Sequence, residues 1–133
     1  MMDAKLMLVD DEEMIRESVE AFFQSEGVRT LTAASVDECL EHLEAGFRGV
    51  ILMDVMMPEM NGWDTIRAIV ANDLFEGNII VMLTALGVPD NKMEGIQEYV
   101  TDYLTKPFNP DELMEILQYY FSLLEAVEPV HGQ

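Results

Sequence analysis

Apolar residues in this chain arrive in two alternating rhythms. Short unbroken runs, such as Leu6-Met7-Leu8-Val9, Val50-Ile51-Leu52-Met53 and Ile79-Ile80-Val81-Met82-Leu83, alternate with longer stretches where hydrophobes recur at helical spacing. The short runs predict strands near 5–9, 29–33, 50–53, 79–83 and 101–104; the longer ones predict helices near 12–25, 36–45, 63–72, 89–98 and 110–126. Continuous apolar strands must be covered on both faces. Strands that alternate with helices join most readily through right-handed crossovers into a parallel sheet. The fold class expected is therefore α/β, a five-stranded parallel sheet with five helices.

Local punctuation supports these bounds. Gly27 suits the end of the first helix, Ser35 can cap the second, and Gly46 and Gly49 bracket the turn into the third strand. Asn109-Pro110 offers a cap followed by a proline at the first helical position, where the missing N–H costs nothing. At 133 residues the chain accommodates one domain, expected over 1–126. Pro129 and Gly132 mark the remaining 127–133 as a frayed tail.

The polar residues that end the strands carry the chemistry. Asp10 and Asp11 follow the first apolar run and Asp54 follows the third, while Thr84 closes the fourth and Thr105-Lys106-Pro107 the fifth. Taken alone, Asp10-Asp11-Glu12-Glu13 fits a helix N-terminus, where negative charge is favourable. Asp54 is different, because Met57-Pro58-Glu59-Met60-Asn61-Gly62 after it reads as a turn-rich loop. If the first and third strands are neighbours in a parallel sheet, their acids share the carboxyl-end crevice where such sheets bind ligands. Three close carboxylates repel one another, so the crevice asks for a cation.

With those residues in place the chain resembles the receiver domain of two-component response regulators, the family of the chemotaxis protein CheY. The resemblance is carried by Leu8-Val9-Asp10-Asp11-Glu12, Met53-Asp54-Val55-Met56-Met57-Pro58-Glu59-Met60-Asn61-Gly62, Thr84-Ala85 and Tyr103-Leu104-Thr105-Lys106-Pro107-Phe108, and it spans nearly the whole chain. It implies a flavodoxin-like, doubly wound sheet of strand order 2-1-3-4-5 in which Asp54 accepts a phosphoryl group from a histidine kinase. It further implies Mg²⁺ held by Asp11, Asp54 and the main-chain carbonyl of Met56, with Asp10 acting through water. Lys106 would pair with phosphoryl oxygens, Thr84 and Tyr103 would carry the switch, and Lys106-Pro107 would be a cis peptide. The output face implied is the one made by the fourth helix, fifth strand and fifth helix.

Charge narrows the partners. With 26 acids against 7 bases, the net charge is −19, and no Lys or Arg follows Lys106. Such a polyanion is repelled by nucleic acid and by anionic lipid. The partners expected are proteins, namely a sensor histidine kinase or phosphotransfer protein upstream and a protein target downstream, with no direct nucleic acid or membrane contact. A single cysteine, Cys39, excludes an internal disulfide, and nothing in the sequence reads as a membrane span or signal peptide, so a cytoplasmic location is expected.

Three other readings share parts of this pattern. A phosphatase with an Asp nucleophile, similar to the haloacid dehalogenase family, wants a second Asp where Met56 stands. A flavodoxin would place cofactor phosphate against Asp10-Asp11-Glu12-Glu13, which repels it. A receiver-like scaffold that is never phosphorylated usually lacks one of the acids, the Thr or the Lys, and all are present. The expectation is a single-domain response regulator, a signalling switch and not a turnover enzyme. Met56 and Leu86, beside the expected phosphoryl pocket, cannot orient water by hydrogen bonding, which predicts slow self-dephosphorylation. Gly87 to Gly95 predicts a readily remodelled start to the fourth helix. On the last helix Leu113, Leu117, Tyr120 and Leu124 form one apolar stripe, with Met114, Tyr119 and Leu123 outside it. Trp63 is expected to cover the start of the third helix.

Overall fold

A computed structural model describes residues 4–54, 62–84, 97–105 and 109–131. Its elements in chain order are β1 (Leu6–Val9), α1 (Glu13–Ser25), β2 (Thr30–Ala33), α2 (Val36–Glu44), β3 (Val50–Asp54), α3 (Gly62–Ala71), β4 (Ile79–Thr84), a 3-10 turn (Gln97–Tyr99), β5 (Val100–Thr105) and α4 (Pro110–His131). The five strands form one sheet of order β2-β1-β3-β4-β5, with every pairing parallel. The expected fold class and strand order are those observed. The helix expected at 89–98 lies outside the described residues up to 96, so the helix numbered α4 here is the one expected as the fifth.

Strand alternation sorts the core into two layers. Met7, Val9, Ile51, Met53, Ile80 and Met82 face α2 and α3, where Leu43, Trp63, Ile66 and Ile69 meet them. Leu6, Leu8, Val50, Leu52, Val81 and Leu83 face α1 and α4, meeting Phe23, Leu113, Leu117 and Tyr120. β1 and β3 are buried along their whole length, which is why their sequences show no polar alternation. Each large aliphatic side chain so buried contributes roughly 1.5–3 kcal/mol relative to exposure. Cys39 belongs to the first layer, and burial pushes its thiol up to about 12, leaving it unreactive.

The helix ends follow the expected chemistry. Gly27, at φ 85°, closes α1 while its N–H bonds Gln24 O at 3.0 Å and the Val28 N–H bonds Phe23 O at 2.8 Å. Ser35 Oγ accepts from Glu38 N at 3.2 Å, and Glu38 Oε1 in turn accepts from Ala34 N at 2.7 Å. Asn109 Oδ1 accepts from Asp111 N at 2.8 Å at the start of α4.

Two boundaries differ from expectation. β3 includes Asp54, paired with Leu83, so this carboxylate hangs from a hydrogen-bonded strand and not from a loop. The last helix does not stop near 126 but runs to His131. Proline's fixed φ is compatible with a helix, and Pro129 deprives the turn before it of only one backbone bond.

β5 contains an irregularity that fixes which way its side chains point. Ile80 pairs with Val100 but Val81 pairs with Asp102, so Thr101 is an extra residue. Without it, Val100 and Tyr103 would lie on opposite faces, since side chains alternate along a strand. With it, both pack on the α2/α3 layer, while Leu104 packs on the α1/α4 layer.

Candidate functional site

Three carboxylates converge at the carboxyl ends of β1 and β3. Asp10 is fully buried, Asp54 is 5% exposed, and Asp11 is partly exposed. One oxygen from each lies within 4.8 Å of the others. The central pairing Leu8↔Leu52 and Val9↔Met53 sets β1 and β3 level, so their next residues must meet.

Burying Asp10 requires hydrogen bonds, and the backbone supplies them. Its N–H extends the sheet by bonding Ala33 O at 3.0 Å, and Oδ1 accepts the Glu12 N–H at 2.9 Å. That second bond folds the chain into α1. Arg16, half-buried on α1, donates from Nη1 to the Asp10 carbonyl at 2.8 Å and so ties the loop to the helix. Sequence reasoning missed Arg16. Its signal is the spacing of six residues from Asp10, which brings a helical side chain back over the preceding loop.

The opposite wall is set by Gly62. A Cβ there would lie 2.5 Å from Asp54 O, 2.9 Å from Met82 Cε and 3.0 Å from Met53 Cγ. The start of α3 therefore rests directly on the Asp54 backbone, and only glycine permits that approach. Trp63 follows, 2% exposed, with its indole N–H meeting no acceptor among the described residues. Its ring centroid is 6.3 Å from that of Tyr103, at 51°. Trp63 thus covers the start of α3 as expected, from inside the core.

Tyr103 is half-buried on β5, and burial raises its phenol above the ordinary value. Thr84 ends β4, in register with Thr105 and one residue beyond the Asp54–Leu83 pair. The structure thereby brings Asp10, Asp11 and Asp54 together and places Thr84 on the adjacent strand, with Tyr103 one strand further. Met56, Leu86, the segment 87–95, Lys106 and Pro107 lie outside the described residues.

Three unit charges at such separations repel strongly. Each pair at 4 Å costs roughly 4 kcal/mol at an effective dielectric constant near 20. The donors are all hard oxygens at the carboxyl ends of two adjacent strands, a set that suits Mg²⁺, which takes one or two carboxylates and keeps several waters. The donor set fits the metal.

A family model for the response regulator receiver domain matches residues 6–118. The chain belongs to this family. A CheY-like receiver from Methanospirillum hungatei is similar to it at 45% identity, with a TM-score of 0.87 over 92% of this chain and 98% of that one. The Vibrio cholerae chemotaxis protein CheY4 is similar at 35% identity, with a TM-score of 0.79 over 90% and 99%. Among curated proteins, response regulator Rre1 of Synechocystis is 34% identical over 85% of this chain and 49% of its own length. The phosphate regulon transcriptional regulatory protein PhoB of Pseudomonas aeruginosa is 33% identical over 89% and 52%. The chain spans about half the length of these curated relatives.

The chain is thus a two-component receiver domain whose acidic group Asp10, Asp11 and Asp54 is compatible with Mg²⁺. Among the described residues no helix is long and apolar enough to cross a membrane.

Proposed function

We propose that this receiver takes a phosphoryl group from the phosphohistidine of a sensor histidine kinase or phosphotransfer protein onto Asp54, and passes the result to a protein target. The observation that carries the reading is the convergence of Asp10, Asp11 and Asp54 within 4.8 Å, with Asp54 buried at the end of a central strand. A carboxylate oxygen of Asp54 attacks phosphorus in line, the P–N bond to the donor imidazole breaks, and the imidazole leaves with the bonding pair. Positioning does most of this work, because the transferred group passes through a loose transition state with little covalent help needed.

Asp10, Asp11, Asp54 and the carbonyl of Met56 would hold Mg²⁺, Asp10 through water. When bound, the ion offsets the repulsion between the anionic nucleophile and the phosphoryl oxygens. Lys106 adds a point charge to those oxygens, and the Thr84 hydroxyl donates to one of them. Thr84's approach frees space for the Tyr103 ring, which alters the face formed by β5, α4 and the helix expected at 89–98. The ligand biases two conformations of that face. With a net charge of −19, the receiver's own surface is suited to a protein target and not to nucleic acid or an anionic membrane.

The test is incubation with acetyl phosphate and Mg²⁺ followed by intact mass measurement. Gain of one phosphoryl group, lost in Asp54→Ala and in the presence of chelator, supports the reading. No gain by the wild-type chain favours a receiver-like scaffold, and steady turnover of phosphate esters favours a phosphatase.

A further inference from the structure

The extra residue in β5 has a second effect, on the residue that follows it. With Thr101 bulged out, Asp102 lies on the face toward α4, opposite Tyr103. There its carboxylate makes two bonds at once. Oδ1 accepts the backbone N–H of Tyr103 at 2.8 Å, and Oδ2 accepts the hydroxyl of Tyr120, on α4, at 2.8 Å. Tyr120 is buried, and its ring meets that of Tyr119 edge to face with centroids 5.3 Å apart. Tyr119 stands 59% exposed. One carboxylate thus joins the backbone of the residue read as the switch to an aromatic pair that ends at the surface of the last helix.

We propose that Asp102 is a positioning residue that couples Tyr103 to α4, so that the exposed Tyr119 face of the helix responds to the state of Asp54. The inference deepens the proposed function and rests on its reading of Tyr103. Both bonds are to a charged acceptor, and such bonds are stronger and shorter than neutral ones. Both are made within the chain, and among the described residues Asp102 has no basic partner. Burial, the hydrogen bond to Asp102 and its negative charge together push the Tyr120 phenol up to about 12, which keeps the donor protonated at any physiological pH. α4 contains no Lys or Arg, so no cation on this helix competes for the carboxylate. A shift of the Tyr103 backbone must then either stretch the bond to Oδ1 or carry Asp102, and with it Tyr120, along.

The experiment uses the full chain, isotopically labelled, with beryllofluoride and Mg²⁺ as the phosphoryl mimic. Amide chemical-shift changes are followed at three places: Leu83 and Thr84 beside the acceptor, Tyr103, and Tyr119 to Leu123 on α4. In the wild-type chain all three move. In Tyr120→Phe, which keeps the ring and loses the hydroxyl, the first two persist while the α4 response falls at least threefold. Asp102→Asn serves as a second variant and also speeds hydrogen exchange of the Tyr103 amide at least tenfold. The double variant shows no further loss beyond the larger single effect, because both substitutions cut one path. An α4 response of wild-type size in a folded Tyr120→Phe overturns the proposal and leaves the bond merely structural. Absence of any change at Leu83 and Thr84 in the wild-type chain refutes phosphoryl binding itself. Change there with none at Tyr103 refutes the switch reading and the coupling with it.

Discussion

Gly62→Ala separates the positioning of Asp54 from the stability of the fold. The added methyl would sit 2.5 Å from Asp54 O, about 0.8 Å inside a comfortable C···O contact of roughly 3.3 Å. The ends of Met82 and Met53 can yield, since methionine repacks readily. Asp54 O cannot, because its strand is held in register with β4. The start of α3 must therefore lift away from the acceptor. Overpacking of this kind costs about 1–3 kcal/mol, and alanine's better helix propensity returns up to about 1 kcal/mol. A net loss of about 1–2 kcal/mol lowers Tm by roughly 4–8 °C for a domain of this size. A misplacement approaching 1 Å is expected to slow phosphorylation by acetyl phosphate on the order of 10- to 100-fold. Gly46→Ala is the control. Gly46 has φ 114° with no atom near an added Cβ, and it lies between α2 and the amino end of β3, the opposite end of that strand from Asp54. It should lose comparable stability through backbone strain while phosphorylating at the wild-type rate. Equal rates in Gly62→Ala and wild type, or equal slowing in the control, refute the reasoning.

Mg²⁺ at about a hundred times its Kd should raise unfolding stability by about 2.7 kcal/mol, reversed by chelator and reduced in Asp11→Asn; a thermal melt indifferent to Mg²⁺ excludes the metal seat. Tyr120 should hold its proton in the folded chain after an unfolded chain has released it, because its folded value lies above the ordinary one. The stability this confers is complete below about pH 10 and is lost as pH rises toward about 12. Denaturant unfolding across that window should show a smaller loss in Asp102→Asn, and an unchanged profile contradicts the assignment. Met56→Asn and Leu86→Glu, which add water-orienting groups beside the pocket, should shorten the phosphoryl lifetime severalfold. Decay as slow as wild type in both rules that out.

The strand–helix alternation and the acids at the strand ends were legible because each follows from short-range pattern, whereas the strand order came from the resemblance to the receiver family. Leu6 to Val9 and Val50 to Met53 carry no polar residue, so only interior strands suit them, and acids at their ends must share a crevice. Ser35 and Asn109 cap helices for local reasons that a few residues suffice to reveal. The less legible features depend on distance in sequence. Nothing around Thr101 marks it as the bulge, since it is an ordinary strand residue; the shift shows only in its register against Ile80 and Val81. Asp102 and Tyr120 are eighteen residues apart, on elements whose relative rotation that bulge decides. On α4 the expected stripe of Leu113, Leu117 and Tyr120 is buried, and Tyr119 and Leu123 are exposed as their positions implied. Met114 is buried too, although it lies off the stripe, because the helix packs into a wider hollow than a single stripe fills. Pro129 reads as a terminator because proline usually is one, yet the helix runs through it to His131.

The place of β3 in the sheet divides the molecule. Asp54 ends the central strand, with β2 and β1 on one flank and β4 and β5 on the other. The three carboxylates themselves are encoded before residue 55, and the clasp between β5 and α4 is encoded after residue 100. Such a layout is modular in evolutionary terms. Descendants of this gene can rewrite the exposed side of the last helix to address a new listener while the acids stay under unaltered selection.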